Sequence, residues 1–137
     1  MIAMYCLAIN LVRPTLGQVI GIGLVAGALN VPTSKSAIPY ANLISEPIGA
    51  LTCALFLPLV SRLNIGGLPL APGLTGFFST VASGFTFVTL LKVILSIPNE
   101  VYLYGMLPVV LAVGAANGVI TQLLYLPARK LLNRQED

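Results

Sequence analysis

Charge is nearly missing from this sequence. Of its 137 residues, 8% are charged, where a soluble domain carries about 25%. A surface that poor in charge does not stay dispersed in water, which excludes a free-standing soluble fold. Histidine is absent, and cysteine occurs twice, as Cys6 and Cys53. Neither stands in a CxxC or Cys/His spacing, so a structural zinc site is not expected, and both read as small apolar residues. Without histidine or an activated cysteine, no nucleophile–base pair can be assembled. The glycine pair Gly21-Ile22-Gly23 lies inside an apolar run with no strand before it, so it is not a phosphate loop. No enzymatic activity, cofactor or metal is therefore expected. The net charge of +3 is too small and too scattered for nucleic acid. The apolar start lacks a basic leader, and Arg13-Pro14 rather than a small-residue cleavage site follows it, so no cleavable signal peptide is expected.

What is present is hydrophobic: 57% of the residues are apolar and mean hydropathy is +0.96. The surrounding solvent is lipid. A bilayer core of about 30 Å takes roughly 20 apolar residues per helix, and the breakers divide the chain into about five such segments. The first covers Ile2 to Val12, short for a full span, and stops at Arg13-Pro14. The second covers Leu16 to about Leu29. Its glycines Gly17, Gly21, Gly23 and Gly27 fall at i, i+4 spacings and read as a packing face that lets backbones approach. Asn30 to Asn42 is the longest polar stretch and reads as a loop. The third helix runs from about Leu43 to Val60, with Glu46 and Pro47 expected in its first turn, and Ser61 to Gly67 is a turn. The fourth runs from Pro69 or Leu74 to Ile97. The fifth starts near Glu100 and reaches about Leu132, with Pro108 and Pro127 as kinks. Gly114 and Gly118 form a second packing face around Asn117, and Asn117 and Gln122 are expected to bond across helices. The expected fold is an all-α membrane bundle over residues 1–132 with a cytoplasmic tail at 133–137.

Charge placement gives an orientation. One side holds Arg13, Arg62, Arg129, Lys130 and Arg134, and the other Lys35 and Lys92. The positive-inside rule makes the first side cytoplasmic. A multi-pass protein of the cell membrane is expected, with its C-terminus inside and its first helix starting outside. The outer side then carries the polar loop and the ionisable groups Lys35, Glu46, Lys92 and Glu100. Ionisable groups in membrane helices are costly and mark functional sites by default. Plainer readings stand beside that one. Glu46 and Glu100 suit the N-terminal dipole of their helices, Lys92 can snorkel to the headgroups, and Tyr40, Tyr102 and Tyr104 suit an interfacial belt.

The order of these features resembles a known family. Ile20-Gly21-Ile22-Gly23-Leu24-Val25-Ala26-Gly27 is followed by Pro32, Thr33, Ser34 and Ile38-Pro39. Asn42-Leu43-Ile44-Ser45-Glu46-Pro47 opens the next helix, and Leu107-Pro108, Asn117 and Leu126-Pro127 precede a basic tail. This is similar to the substrate-binding S-components of energy-coupling-factor transporters, above all the tryptophan-transporter-like branch. Those proteins have six helices with both termini inside, and this chain looks like such a fold without its first helix. The resemblance implies a transmembrane coupling subunit and ATPase subunits as partners, and a small-molecule ligand held near the outer face. The matching positions are Asn30, Thr33, Lys35, Tyr40, Asn42 and Glu46, with Lys92, Asn99 and Glu100 opposite. Lys35 or Lys92 would hold a ligand carboxylate and Glu46 or Glu100 an amine, while Asn42 would hydrogen-bond and Tyr40 stack. The expected function is uptake of a small amino acid or vitamin. Two other readings compete: a subunit of a secondary transporter, and a structural or assembly subunit whose glycine faces are docking surfaces.

Overall fold

The computed structural model describes residues 1–134. Five helices follow one another: α1 (Ile2–Val12), α2 (Leu16–Thr33), α3 (Asn42–Val60), α4 (Ala71–Leu95) and α5 (Leu107–Asn133). Four segments built on α2 to α5 are long and apolar enough to cross a membrane; α1 is not. At 1.5 Å per residue, the 11 residues of α1 span about 16 Å, roughly half of a bilayer core. The bundle is thus a multi-pass membrane protein with four helices of spanning length and one shorter helix among them. Its outer faces carry exposed Leu55, Leu59, Phe85, Val93, Leu111 and Leu123, the surface a lipid-facing bundle presents. Of the expected tail, Asn133 still belongs to α5 and Arg134 caps it, while residues 135–137 lie outside the described residues.

Each helix stops where its backbone groups find another solution. Arg13 takes a left-handed conformation (φ 51°) and its N–H closes α1 on the Ile9 carbonyl; Pro14, lacking an N–H, cannot prolong it. Thr15 then opens α2, its backbone N–H donating to Gln18 Oε1 at 2.9 Å. This is half of a capping box at the start of a helix that has no acidic residue in its first turn. The polar loop after α2 is shorter than Asn30 to Asn42, because α2 runs on to Thr33 through Pro32. A 3₁₀ turn, Pro39–Ala41, then leads directly into α3. Between α3 and α4, β1 (Asn64–Ile65) pairs with β2 (Leu68–Pro69) antiparallel. Gly66 and Gly67 both have positive φ, 59° and 83°, which a two-residue hairpin turn requires. Before α5 the chain forms a π-helical segment, Val101–Met106. It leads into Pro108, whose ring would clash with the carbonyl four residues earlier in a regular α-helix.

α1 lies among the other helices and touches all four. Tyr5, Cys6 and Ile9 of α1 meet Val19 and Ala26 of α2, Ala50, Cys53 and Leu57 of α3, and Ala71 of α4 in one buried cluster. Asn10 is buried there too, donating to the Cys6 carbonyl at 2.8 Å and to Thr75 Oγ1 at 2.9 Å. In lipid, such internal partners are what make a buried amide tolerable.

The expected glycine faces divide. Gly23 and Gly27 meet α3 closely: a Cβ on Gly23 would clash with the Pro47 backbone, and one on Gly27 would sit 2.6 Å from the Asn42 carbonyl oxygen. Gly114 and Gly118 meet α4, with added Cβ atoms 2.9 Å from Val81 Cγ2 and from the Gly73 carbonyl oxygen. Gly17 and Gly21 do not belong to a packed face, since nothing lies within 4 Å of a Cβ added to either. The reason is angular. At 3.6 residues per turn, each pair four apart shares a face, but the six residues from Gly17 to Gly23 turn the helix by about 240°.

Five of the seven basic residues lie toward one end, and Lys35 and Lys92 toward the other. Arg13 shares a recess with Pro58 and Ser61, so α1 and α3 finish together, and Gln122 bonds to residues at the start of α4. The opposite end carries the loop after α2, the start of α3 and the π segment.

Candidate functional site

A cavity of about 410 Å³ is lined by residues from that second end. α3 contributes Asn42, Ser45 and Glu46, α4 contributes residues from Thr80 to Leu91, and the π segment with α5 contributes Gly105 to Val113. Ile2 of α1 also lines it. Its volume falls in the range of small-molecule sites, about 300–1,000 Å³. Two features of the sequence create the space. Gly84 and Gly105 remove side chains from the wall, and the π segment widens α5 where it lines the cavity.

Glu46 is the focus. It is 5% exposed and lies in the second turn of α3, not the first, because the helix already begins at Asn42 and a 3₁₀ turn precedes it. The helix dipole acts mainly within the first turn, so it accounts poorly for a carboxylate here. Oε1 accepts a hydrogen bond from Asn30 Nδ2 at 2.8 Å. Oε2 is buried and has no hydrogen-bond partner among the described residues. The Tyr5 hydroxyl, reaching in from α1, is buried without a partner as well. It sits against Gly49, one turn beyond Glu46, where an added Cβ would be 2.5 Å from it. A side chain at Gly49 would therefore push Tyr5 away.

The residues expected to hold a ligand separate into two groups. Asn42 and Glu46 line the cavity, and Asn30, outside the lining, holds Glu46, while Asn42 Nδ2 donates to the Pro39 carbonyl at 2.9 Å. The others do not line it. Thr33 bonds back to the Leu29 and Asn30 carbonyls of its own helix. Lys35, Asn99 and Glu100 are exposed, and Tyr40 is 67% exposed, leaving its ring no stacking partner in the cavity. Lys92 is half-buried, but its Nζ lies 4.7 Å from the centre of the Tyr102 ring. That ring is itself held by a 2.9 Å hydrogen bond between its hydroxyl and Thr89 Oγ1. No ion pair joins Glu46 to Lys35 or Lys92 among the described residues.

From α4, sequence reasoning placed Lys92 at the site and missed the residues that line the cavity. Thr80, Ser83 and Phe87 line the cavity and recur every three or four residues, the spacing of one helix face. Tyr5 was also silent in the sequence, because burial of a tyrosine leaves no mark in its neighbours. Asn117 and Gln122 do bond across to α4. Asn117 Nδ2 donates to Thr80 Oγ1 at 3.2 Å, and Gln122 donates to the Pro69 carbonyl at 2.8 Å while accepting from the Gly73 N–H at 2.9 Å. Comparison with protein families, with curated proteins and with solved structures finds no match.

Proposed function

We propose that this protein is a substrate-binding subunit of an uptake transporter in the cell membrane, with its basic end in the cytoplasm. In this reading it takes a small amino acid or vitamin from the outer side. It hands that ligand to an ATP-driven module made of a transmembrane coupling subunit and ATPase subunits, the arrangement of the S-components it resembles. The observation that carries the reading is the cavity with a buried, half-satisfied carboxylate at its end. Such a group is expensive in a membrane helix and is retained where it meets a ligand.

The test is thermal unfolding of the purified protein in lipid nanodiscs, against a panel of amino acids, B-group vitamins and amines built on the same bodies. A ligand at 100 times its Kd raises stability by about 2.7 kcal/mol, a shift of several degrees in Tm. No shift with any panel member would remove the reading. A second reading has one observation in its favour. Gly17 and Gly21 leave a small-residue face of α2 uncovered, as a helix-docking surface of an assembly subunit would be. Native co-purification separates the two: ATPase subunits support the transporter, and a complex lacking them supports the assembly role.

A further inference from the structure

We infer, resting on the transporter reading above, that the ligand of the Glu46 cavity is an organic cation: an ammonium group on an apolar or aromatic body, carrying no carboxylate. Among the cavity's lining residues, Glu46 is the only one with a formal charge. The cation that could balance a ligand carboxylate is elsewhere. Lys92 lies over Tyr102, and Lys35 is exposed in the loop after α2. A zwitterionic amino acid would therefore bring its carboxylate into a low-dielectric cavity whose lining holds no positive side chain, with the like charge of Glu46 nearby. An amine without the carboxylate meets the opposite situation. Its ammonium has donors only, and Glu46 offers, beside the Tyr5 hydroxyl, a buried oxygen that has no hydrogen-bond partner among the described residues.

The remaining wall selects the rest of the molecule. Phe87, Val88, Leu91, Met106, Val109 and Val110 line the cavity and suit an apolar or aromatic body. They also exclude a bare metal ion. Calcium takes six to eight oxygen ligands and magnesium holds an octahedral set, whereas one carboxylate and a few hydroxyls and amides stand here. The expectation that Lys92 or Lys35 binds a ligand carboxylate is thereby replaced. Neither lysine lines the cavity, and Glu46 is the one charged side chain that does.

The experiment compares ligands that differ only in their charged groups. Tryptamine and 2-phenylethylamine are titrated beside tryptophan and phenylalanine, and beside uncharged 3-ethylindole, into the intact protein in nanodiscs by calorimetry. One of the two amines is expected to bind roughly 100-fold more tightly than its amino-acid counterpart, the size of effect that accompanies an unbalanced buried charge. In Glu46→Gln, which keeps the acceptor for Asn30, that preference is expected to fall to within about threefold. Three results overturn the inference: an amino acid binding as tightly as its amine, an amine bound equally well by Glu46→Gln, or no binding of either amine. If a carboxylate-bearing or neutral member of the larger panel binds instead, the cation inference falls and the transporter reading stands. If nothing in the panel binds, both fall together.

Discussion

Helices α4 and α5 meet along one seam, and its two ends are built differently. At the basic end, backbone approaches backbone. Gly73 faces Gly118, Gly76 faces Thr121, and Gln122 satisfies both the Pro69 carbonyl and the Gly73 N–H. That N–H is one of the orphan donors of the first turn of α4, so a side chain from α5 acts as its cap. At the other end the same helices part around the cavity. There Gly84 meets only the side chain of Val110, and a π segment replaces regular helix. Small residues close one end, and a widened backbone holds the other open. The closed end fixes the geometry in which the open end holds its cavity.

The largest effect that would break this contrast is expected at Gly118. An added Cβ would lie 2.9 Å from the Gly73 carbonyl oxygen and 3.3 Å from Phe77 Cβ. Neither can turn away, because one is backbone and the other is fixed to it. Gly118→Ala is expected to cost about 3 kcal/mol, the upper end for overpacking. Cys6 and Cys53 are both 0% exposed, so a thiol-reactive fluorophore reports unfolding directly. A midpoint within a degree of the unaltered protein would show that the helices can separate freely at this end.

Next in size is Gln122→Ala. It removes two hydrogen bonds and leaves the Pro69 carbonyl and the Gly73 N–H without their side-chain partner. Individual interhelical bonds in membranes average about 0.6 kcal/mol and reach about 1.7, so a loss of about 1–2 kcal/mol is expected in the same unfolding assay. Ligand affinity should change little, since the cavity is at the far end of the seam. A large loss of affinity with little loss of stability would mean that the two ends are coupled rather than merely joined.

Much of the closed end was legible in the sequence, and most of the open end was not. Gly114, Gly118, Asn117 and Gln122 announce themselves because small and amide residues inside an apolar helix have few reasons to be there except contact with another helix. The helix limits follow from Pro14 and the Gly66–Gly67 pair, each a local event. The cavity depends on side chains brought together from distant elements. Nothing local tells Asn30 that its partner is Glu46, or Lys92 that its Nζ lies over the Tyr102 ring. The glycines of α2 show the limit most clearly. Their spacing marks two pairs, but only the position of α3 decides that Gly23 and Gly27 are covered while Gly17 and Gly21 are not.

The smallest effect sharpens the contrast most, because it repeats the first substitution at the open end. A Cβ on Gly84 would lie 2.9 Å from Val110 Cγ1, nominally the same approach as at Gly118. Here the obstacle is the tip of a side chain bordering a cavity of about 410 Å³. The two Val110 methyls, 2.9 and 3.2 Å away, need give by only a few tenths of an ångström toward that space. A glycine-to-alanine change inside a helix also returns up to about 1 kcal/mol of backbone propensity. Gly84→Ala is therefore expected to leave the unfolding midpoint within about 0.5 kcal/mol of the unaltered protein. Its cost should appear in binding instead. The added methyl and the displaced Val110 both take volume from the cavity, so affinity for the bulkier amine, tryptamine, should fall more than affinity for 2-phenylethylamine. If Gly84→Ala destabilised the protein as much as Gly118→Ala, the open end would be as rigid as the closed one, and the space between the helices would be a packing defect rather than a site.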